Sequence, residues 1–489
     1  MKFKEFFIPF FFGLLGVFSF APFSIKPLIV LSYAYLIKEL TFKSSSLRQL
    51  ILWSIGHWGF GMSWLIVSVY YYGNTSIYIS FIIFLLLILI LTVFFSLPLL
   101  IIRTNIFQKN RYKSVRIIIL ISSLFIINEW SMYYLLYGVP WLIPGVVYLD
   151  TITQNIYPLL GVVGASILIY IFSTLVAISW HNNKRNLLVI SLIGLIFFIP
   201  NVYEKKSIGD QIKVSIVQPS SDPFLKYKNN YRDEIEANLL ALMKQSNTDS
   251  DLLVLPEAEL PYTYESKNFD DFKKKIDFKK TIIGGIWHNS DGNLYNSMVN
   301  FAFEGTYNKV HLVPFGEFTP FISSLRNLIS FFDMPMSDVT SGNYNQDPIL
   351  VSSNPVIKAA PLICFDIAFG NTVRKSNISS LFMINISNDT WFGNSIGPHQ
   401  HLDIARVRSI ENNRWMIRAT NDGFSAVIDN NGTIVDKLDK GVSGVLNSSI
   451  KLEETRTIYS KYGYYLPYLL ALSILIFSVI INICSRKFF

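Results

Sequence analysis

Apolar and polar positions alternate along this chain on two length scales. Over the first two hundred residues, long apolar runs follow one another: Phe6 to about Phe20, roughly Pro22 to Leu40, about Leu50 to Tyr72, and Ile77 to Ile102. Three more cover about Val115 to Tyr137, about Tyr157 to Trp180 and about Leu187 to Val202. Each approaches the ~20 residues that carry a helix across ~30 Å of hydrocarbon. From about Gln211 to Leu452 the texture changes: apolar runs shorten to strand length and charged residues fill the gaps. A last long run, about Tyr464 to Ile483, precedes Arg486 and Lys487. The pattern predicts an α-helical membrane bundle of about eight helices. Seven spans lie in residues 1–203 and the eighth in 464–483, with an α/β domain at 211–452 between them.

Within the middle stretch, Ile212 to Val217 reads as a first strand. Tyr231 to Gln245 predicts an amphipathic helix, with Ile235, Leu239 and Met243 on one face. Thr281 to Trp287 and Ser297 to Phe303 read as strands separated by an Asp291-Gly292 turn. Val356 to Cys364 and Leu381 to Ser387 read as buried strands, and His399 to Asn413 as a helix. Phe424 to Ile428 and Thr433 to Val435 flank the hairpin turn Asn430-Asn431-Gly432. Strands alternating with helices predict a layered α/β domain.

Composition agrees with a membrane protein. Of 489 residues, 51% are hydrophobic, and mean hydropathy is +0.37, too apolar for an ordinary soluble chain. The net charge of +8 does not point to nucleic acid, because the basic residues sit between apolar runs and no nucleic-acid-binding motif is present. Lys2 and Lys4 precede the first run. Lys38, Lys43 and Arg48 flank the second connection; Arg103, Lys109, Arg111, Lys113 and Arg116 the fourth; Lys184 and Arg185 the sixth. The alternate connections hold almost none, Lys26 excepted. The positive-inside rule then puts both termini in the cytoplasm and the α/β domain outside. The first run has the outline of a signal peptide, but Phe18-Ser-Phe-Ala-Pro-Phe23 offers no small-x-small cleavage site, so a retained helix is expected. Two cysteines imply neither a disulfide framework nor a Cys-rich metal site. His399 and His401, two apart and without acidic or Cys partners at ligand spacing, do not form a metal pair; hydrogen bonding at a helix start is expected of them.

Three strand ends carry candidate chemistry. The strand Val356 to Cys364 ends in a thiol, with Asp366 just beyond. Asp251-Leu-Leu-Val-Leu-Pro-Glu257 ends in a carboxylate. Tyr307 to Phe318 places Lys309 and Glu317 around a Pro-Phe-Gly turn. Taken singly each is weak, since a free Cys is most often a small buried hydrophobe. Together they are the parts of thiol acyl transfer: a base that removes the thiol proton, a thiolate nucleophile and a cation for the oxyanion.

In the order Glu257, Lys309, Cys364, these residues resemble the Glu-Lys-Cys triad of the nitrilase superfamily. The surrounding motifs narrow the likeness: Leu255-Pro-Glu257, Tyr307-Asn-Lys309, His311 to Phe318, Ile386-Ser-Asn-Asp-Thr-Trp-Phe-Gly393, Ser395 to His401, Ala405-Arg-Val-Arg408 and Arg418 to Gly423. With spans before and after the domain, the whole chain resembles the apolipoprotein N-acyltransferases. That resemblance implies a nitrilase-like α-β-β-α sandwich in which Glu257 is the general base, Lys309 stabilises the oxyanion and Cys364 becomes a thioester. Glu317 supports Lys309. It implies ping-pong transfer of an acyl chain from a phospholipid, phosphatidylethanolamine being the usual donor, to the α-amine of the diacylglyceryl-cysteine of an apolipoprotein. It implies no cofactor and no metal. The expected setting is the cytoplasmic (inner) membrane with the catalytic domain on the periplasmic side. Phe365 and Asp366 stand where the family usually has Tyr and Glu, and Tyr227 where it has Trp. These three, with Trp391 and Trp141, are the expected substrate-binding residues.

Other readings stay open at this level. Phe315, Phe318, Phe321, Leu325, Leu328, Ile329, Phe331 and Phe332 read equally as a core helix or as an acyl-chain path. Tyr137 to Gly145, with Trp141, reads as an interfacial aromatic belt or the wall of a lipid entry. A membrane-tethered amidase or nitrilase would use the same triad, although one anchor would serve it. A transporter or scaffold with a degenerate domain conflicts with the intact triad and with how few charges the spans carry.

Overall fold

The computed structural model describes residues 4–487 except 44–45, 73–75, 105–113, 183, 203–209, 223–224, 226–230, 277–279, 315 and 319–338. Tyr227, Phe315 and the aromatic stretch from Phe321 to Phe332 therefore lie outside the described residues. The chain forms two compact units. One comprises Met1–Ile66, Ser76–Tyr203 and Tyr462–Phe489; the other comprises Val67–Thr75 and Glu204–Lys461.

The first unit is helical: α1 (Lys4–Val17), α2 (Leu28–Phe42), α3 (Ser46–Gly61), α4 (Ile77–Phe95), α5 (Ser114–Met132), α6 (Tyr157–Asn182), α7 (Lys184–Leu195) and the C-terminal helix Tyr465–Lys487. Among the described residues, three stretches are long and apolar enough to cross a membrane, Ile77–Arg103, Val115–Met132 and Ile152–Asn182, or four with one bent pair taken as a single span. Glu5–Val17, Asn186–Phe198 and Tyr465–Ile481 are shorter apolar helices. The apolar runs overstate helix length wherever a residue breaks the backbone ladder. Pro22 and Pro27 precede α2, which starts at Leu28, and Pro98 follows α4, which gives way to a 3-10 turn, Leu97–Arg103. Helices α1 and α3 meet through glycines: a Cβ on Gly13 would lie 2.0 Å from the Trp53 carbonyl oxygen, and one on Gly56 2.2 Å from that of Phe10. Small residues at such crossings let helix backbones touch where no hydrophobic force drives them together. A carboxyl is buried in the apolar stretch Val115–Met132: Glu129 of α5 accepts a hydrogen bond from the Tyr170 hydroxyl of α6 at 2.9 Å. Trp141 belongs to this unit, buried against Trp64 with ring centroids 5.3 Å apart.

The second unit holds two six-stranded sheets. The strands are β1 (Gln211–Gln218), β2 (Leu252–Val254), β3 (Thr281–Ser290), β4 (Asn293–Asn300), β5 (Thr306–Asn308), β6 (Ile349–Ser353), β7 (Val356–Ile363), β8 (Phe382–Ser387), β9 (Met416–Thr420), β10 (Ser425–Ile428), β11 (Ile434–Leu438) and β12 (Gly444–Lys451). Their orders are β12-β1-β2-β3-β4-β5 and β11-β10-β9-β8-β7-β6. The central strands β2, β7, β8 and β9 have parallel neighbours. That is why β2, β7 and β8 read as buried apolar runs rather than as alternation, whereas β9 carries Arg418 at its centre and does not. The β3–β4 hairpin turns at Asp291-Gly292, both at positive φ (51° and 78°), the pair of conformations a two-residue hairpin requires.

The sheets pack face to face through one apolar core, with Val214, Ile216, Val254, Ile283 and Met298 from the first meeting Ala359, Ile363, Ile384, Ile386 and Ile417 from the second. Two helices, α8 (Arg232–Lys244) and α9 (Lys267–Lys274), cover the first sheet's other face through Leu239, Met243, Phe269 and Phe272. Two more, α10 (Gly370–Ser376) and α11 (Gly397–Asn412), pack on β7 and on the turn that follows it. The α/β domain expected from the sequence is present, and its parallel strands all end at the same edge.

Candidate active site

That edge gathers the predicted residues. Cys364 follows directly on β7 with φ of 48°, a left-handed conformation unusual outside glycine, and opens the 3-10 turn Cys364–Ala368. The turn is held by its own backbone partners. The Arg408 guanidinium of α11 donates to the carbonyls of Ile367 (2.9 Å) and Ala368 (2.8 Å), and is itself paired with buried Glu411 at 2.6 Å. A strained residue persists only where its surroundings over-determine it, and such residues concentrate at reactive sites.

Glu257 lies just past β2, where the chain is tied to β3 by Leu255 N–H to Ile283 O (2.8 Å) and Gly285 N–H to Pro256 O (3.1 Å). Position 285 must be glycine here: a Cβ would lie 2.5 Å from Ala258 N and 2.7 Å from Glu257 Cα. Lys309 follows β5, its N–H bonded to Asn296 O at 2.8 Å. Its ammonium donates to Glu257 Oε1 at 3.1 Å and to Glu317 Oε1 at 2.8 Å, with only 1% of the side chain exposed. Glu317 reaches back through the turn, its Oε2 accepting from Val313 N–H at 2.8 Å.

Asn296 of β4 completes this group. Its amide donates to Glu257 Oε1 (2.7 Å) and to Glu317 Oε1 (3.2 Å), so one ammonium and one amide bridge both carboxylates. The second oxygen of Glu257 accepts the backbone N–H of Asn388 at 2.8 Å. Neither Asn296 nor Asn388 N–H is legible as a partner in the sequence. Asn296 is one of three buried polar residues of β4, with Ser297 and Asn300, and nothing in the strand's pattern singles it out.

Electrostatics divide the labour. Burial draws the Lys309 ammonium toward neutrality, but Glu257 and Glu317 hold it well above the usual lysine value. Burial and the neighbouring Glu257 push the Cys364 thiol up, while Lys309 and a hydrogen bond from Ser387 pull it down. The Cys364 side chain rests as a neutral thiol beside a fixed cation and a carboxylate, a setting in which base-assisted attack on an acyl group is possible without a free buried thiolate.

Asp366 is fully buried. Its Oδ1 accepts Val310 N–H (3.2 Å) and His311 N–H (2.8 Å); its Oδ2 accepts Ile363 N–H (3.2 Å) and the Tyr307 hydroxyl (3.0 Å). It thus clamps the backbone on either side of Lys309 to the turn that carries Cys364. Burial raises its carboxyl to about 6 despite those donors and the Lys309 charge. His311 is lowered to about 3 by burial and by Lys309, and is therefore neutral; it stacks on Phe369 at 3.5 Å. Phe365 stands half-buried, edge-on to Phe369 at 5.2 Å. Trp391 is half-buried in the turn after β8, and its carbonyl accepts the Ser68 hydroxyl at 2.8 Å. Of the expected site residues, Glu257, Lys309, Glu317, Cys364 and Asp366 are brought into one connected cluster, Phe365 adjoins it in sequence, and Trp141 lies in the helical unit.

The paired sheets and the Glu–Lys–Cys edge define a class, the carbon–nitrogen hydrolases, whose family model matches residues 213–459. The helical unit is more particular: residues 12–175 match the apolipoprotein N-acyltransferase N-terminal domain. The chain belongs to the apolipoprotein N-acyltransferase family. It is 32% identical to the apolipoprotein N-acyltransferase of Haemophilus influenzae, over 97% of this chain and 94% of that one. The Pasteurella multocida protein of the same name is 29% identical over 100% of this chain and 97% of its own, and that of Shewanella oneidensis 30% identical over 91% and 89%.

Proposed function

We propose that this enzyme N-acylates apolipoproteins, moving a fatty acyl chain from a phospholipid, with phosphatidylethanolamine as donor, through a Cys364 thioester to the α-amine of an N-terminal diacylglyceryl-cysteine. The observation that carries the reading is the buried Lys309 ammonium held between Glu257 and Glu317. A cation fixed there in advance costs no reorganisation when an oxyanion forms.

Glu257 takes the Cys364 proton as sulfur attacks the ester carbonyl. Lys309 and the Phe365 N–H receive the oxyanion. The intermediate collapses, the ester C–O bond breaks, and the lysophospholipid oxygen leaves with the proton from Glu257. In the second half the α-amine attacks the thioester, gives its proton to Glu257, and the thiolate is expelled and reprotonated. Glu317 and Asn296 keep Lys309 aimed at the carbonyl. Phe365, Asp366, Trp391, Trp141 and Tyr227 are the substrate-contacting set of this reading. Asp366 enters through the backbone it clamps.

The setting that fits is the inner membrane, with eight spans in 1–203 and 464–483, domain 211–452 on the periplasmic side and both termini in the cytoplasm. Basic residues at alternate connections support that orientation. Acyl transfer to water is disfavoured because the reacting groups are buried: Cys364 is 9% exposed and Lys309 1%.

The test offers purified protein and labelled phosphatidylethanolamine three acceptors: a diacylglyceryl-cysteine peptide with a free α-amine, the same peptide N-acetylated, and water. Label on the free-amine peptide alone is the expected result. Free fatty acid produced at the same rate whether or not the peptide is present would replace transfer with hydrolysis.

A further inference from the structure

Behind Cys364 lies a second charged cluster that the reaction above does not use. Ser387 is the last residue of β8, and the parallel register of Ile363 with Ile386 sets it beside Cys364, where its hydroxyl favours the ionised thiol. The same hydroxyl donates to Asp389 Oδ1 at 2.7 Å. Asp389 is wholly buried; its Oδ2 accepts from the Arg418 guanidinium at 2.7 Å, and the same guanidinium donates to His401 Nδ1 at 3.0 Å. On the other side of its ring, His401 Nε2 faces the Cys364 carbonyl oxygen at 3.3 Å, which requires that nitrogen to carry the proton. Arg418, fully buried on β9, also donates to Asn385, its register partner.

One carboxylate therefore governs both ends of the nucleophile. Through Ser387 it stands beside the sulfur, and through Arg418 and then His401 it reaches the carbonyl of a residue held at positive φ. Burying a charged pair of this kind carries a desolvation cost that well-packed apolar side chains would avoid. Its retention under the nucleophile calls for a reason beyond stability. Relying on the reading of Cys364 as the nucleophile, we propose that Ser387, Asp389, His401 and Arg418 form a positioning network for Cys364. Ser387 sets the direction of the sulfur, Asp389 keeps Ser387 in place, and Arg418, anchored by Asp389, holds His401 under the Cys364 carbonyl.

A serine hydroxyl has one proton and two lone pairs. While that proton points at Asp389, a lone pair faces the sulfur and receives S–H. When the thiol ionises, the hydroxyl proton turns to the thiolate. The charged groups that act on the sulfur are Glu257 and Asp389, which oppose its ionisation, and Lys309, which favours it. Removing the serine hydroxyl and removing the Asp389 charge should therefore move thiol reactivity in opposite directions, a pattern that loss of packing cannot produce.

The measurement is the rate at which iodoacetamide alkylates Cys364 in the full-length protein, followed by peptide mass spectrometry from pH 7 to 9.5. Ser387→Ala should react about tenfold more slowly than wild type at each pH, from the loss of one hydrogen bond to a charged sulfur. Ser387→Thr, which keeps the hydroxyl, should restore the rate. Asp389→Asn should alkylate faster than wild type while transferring acyl groups more slowly. Wild-type alkylation in Ser387→Ala, or alkylation and transfer slowed together in Asp389→Asn, would overturn the proposal. Should Asp389→Asn fail to fold, the serine pair decides alone. Alkylation needs no lipid, so a wild type that forms no thioester with phospholipid would refute the nucleophile reading without touching this result.

Discussion

Replacing Asp366 by Asn tests the physics of the clamp between Lys309 and Cys364. In the wild type, burial outweighs three backbone N–H donors, the Tyr307 hydroxyl and the Lys309 charge, and raises the carboxyl from 3.8 to about 6. The folded protein then binds this proton more tightly than the unfolded chain does. The stability from that difference is fully present below the unfolded value, near pH 4, and is lost as pH rises through about 6. Raising the carboxyl from 3.8 to about 6 corresponds to about 3 kcal/mol. At roughly 2–4 °C per kcal/mol for a domain of this size, that is about 5–10 °C in the apparent melting temperature. Asn cannot ionise, so Asp366→Asn has no such term, and every other titrating group is common to both proteins. Its amide also turns a donor toward Ile363 N–H or Tyr307, a fixed cost at all pH values. The assay is intrinsic-fluorescence melting of both proteins in detergent from pH 4 to 7.5. The melting temperature of the variant minus that of the wild type should climb by about 5–10 °C across this window. A flat or falling difference would mean that the donors outweigh burial and would refute the reasoning.

Three further outcomes follow from the same geometry. Gly285→Ala drives a methyl into the backbone of Glu257 and Ala258; acyl transfer should fall about a hundredfold, with the protein still folded by circular dichroism. Arg408→Met removes the donors to Ile367 and Ala368 and takes the cation from buried Glu411; a loss of about 3–5 kcal/mol is expected, read as earlier unfolding in the same melting assay. Glu317→Gln leaves Lys309 one carboxylate instead of two; kcat should drop by about 10–100-fold with KM for phospholipid little changed, because the loss falls on transition-state stabilisation.

Much of the second unit could be read from its pattern of residues. Parallel strands buried on both faces announce themselves as apolar runs, and Cys364 and Glu257 stand where two of those runs stop. Lys309 and Glu317 came from motif, since β5 is only three residues long and has no periodicity of its own. Strands β6, β9 and β12 went unread: β9 has Arg418 at its centre, and β12 is half-exposed along most of its length and earns its place by pairing with β1 more than two hundred residues earlier. Asn296 could not be assigned because its function arises where three separate segments converge. The Asp389–His401–Arg418 group was hidden for the same reason: in sequence the first two look like turn and helix-start residues, and only folding places them under Cys364. In the helical unit, hydropathy located the apolar stretches but not their ends, because Pro27, Pro98 and Gly161 interrupt the ladder without making the sequence more polar.

The central claim is that Cys364 carries the acyl group as a thioester, and intact-mass spectrometry of the protein incubated with phosphatidylethanolamine tests it most directly. The account predicts a mass gain of one acyl chain on the wild type. Hydroxylamine should remove it, and Cys364→Ala should not show it. A gain that persists in Cys364→Ala, or a wild type that turns over peptide substrate without ever gaining the acyl mass, would contradict it.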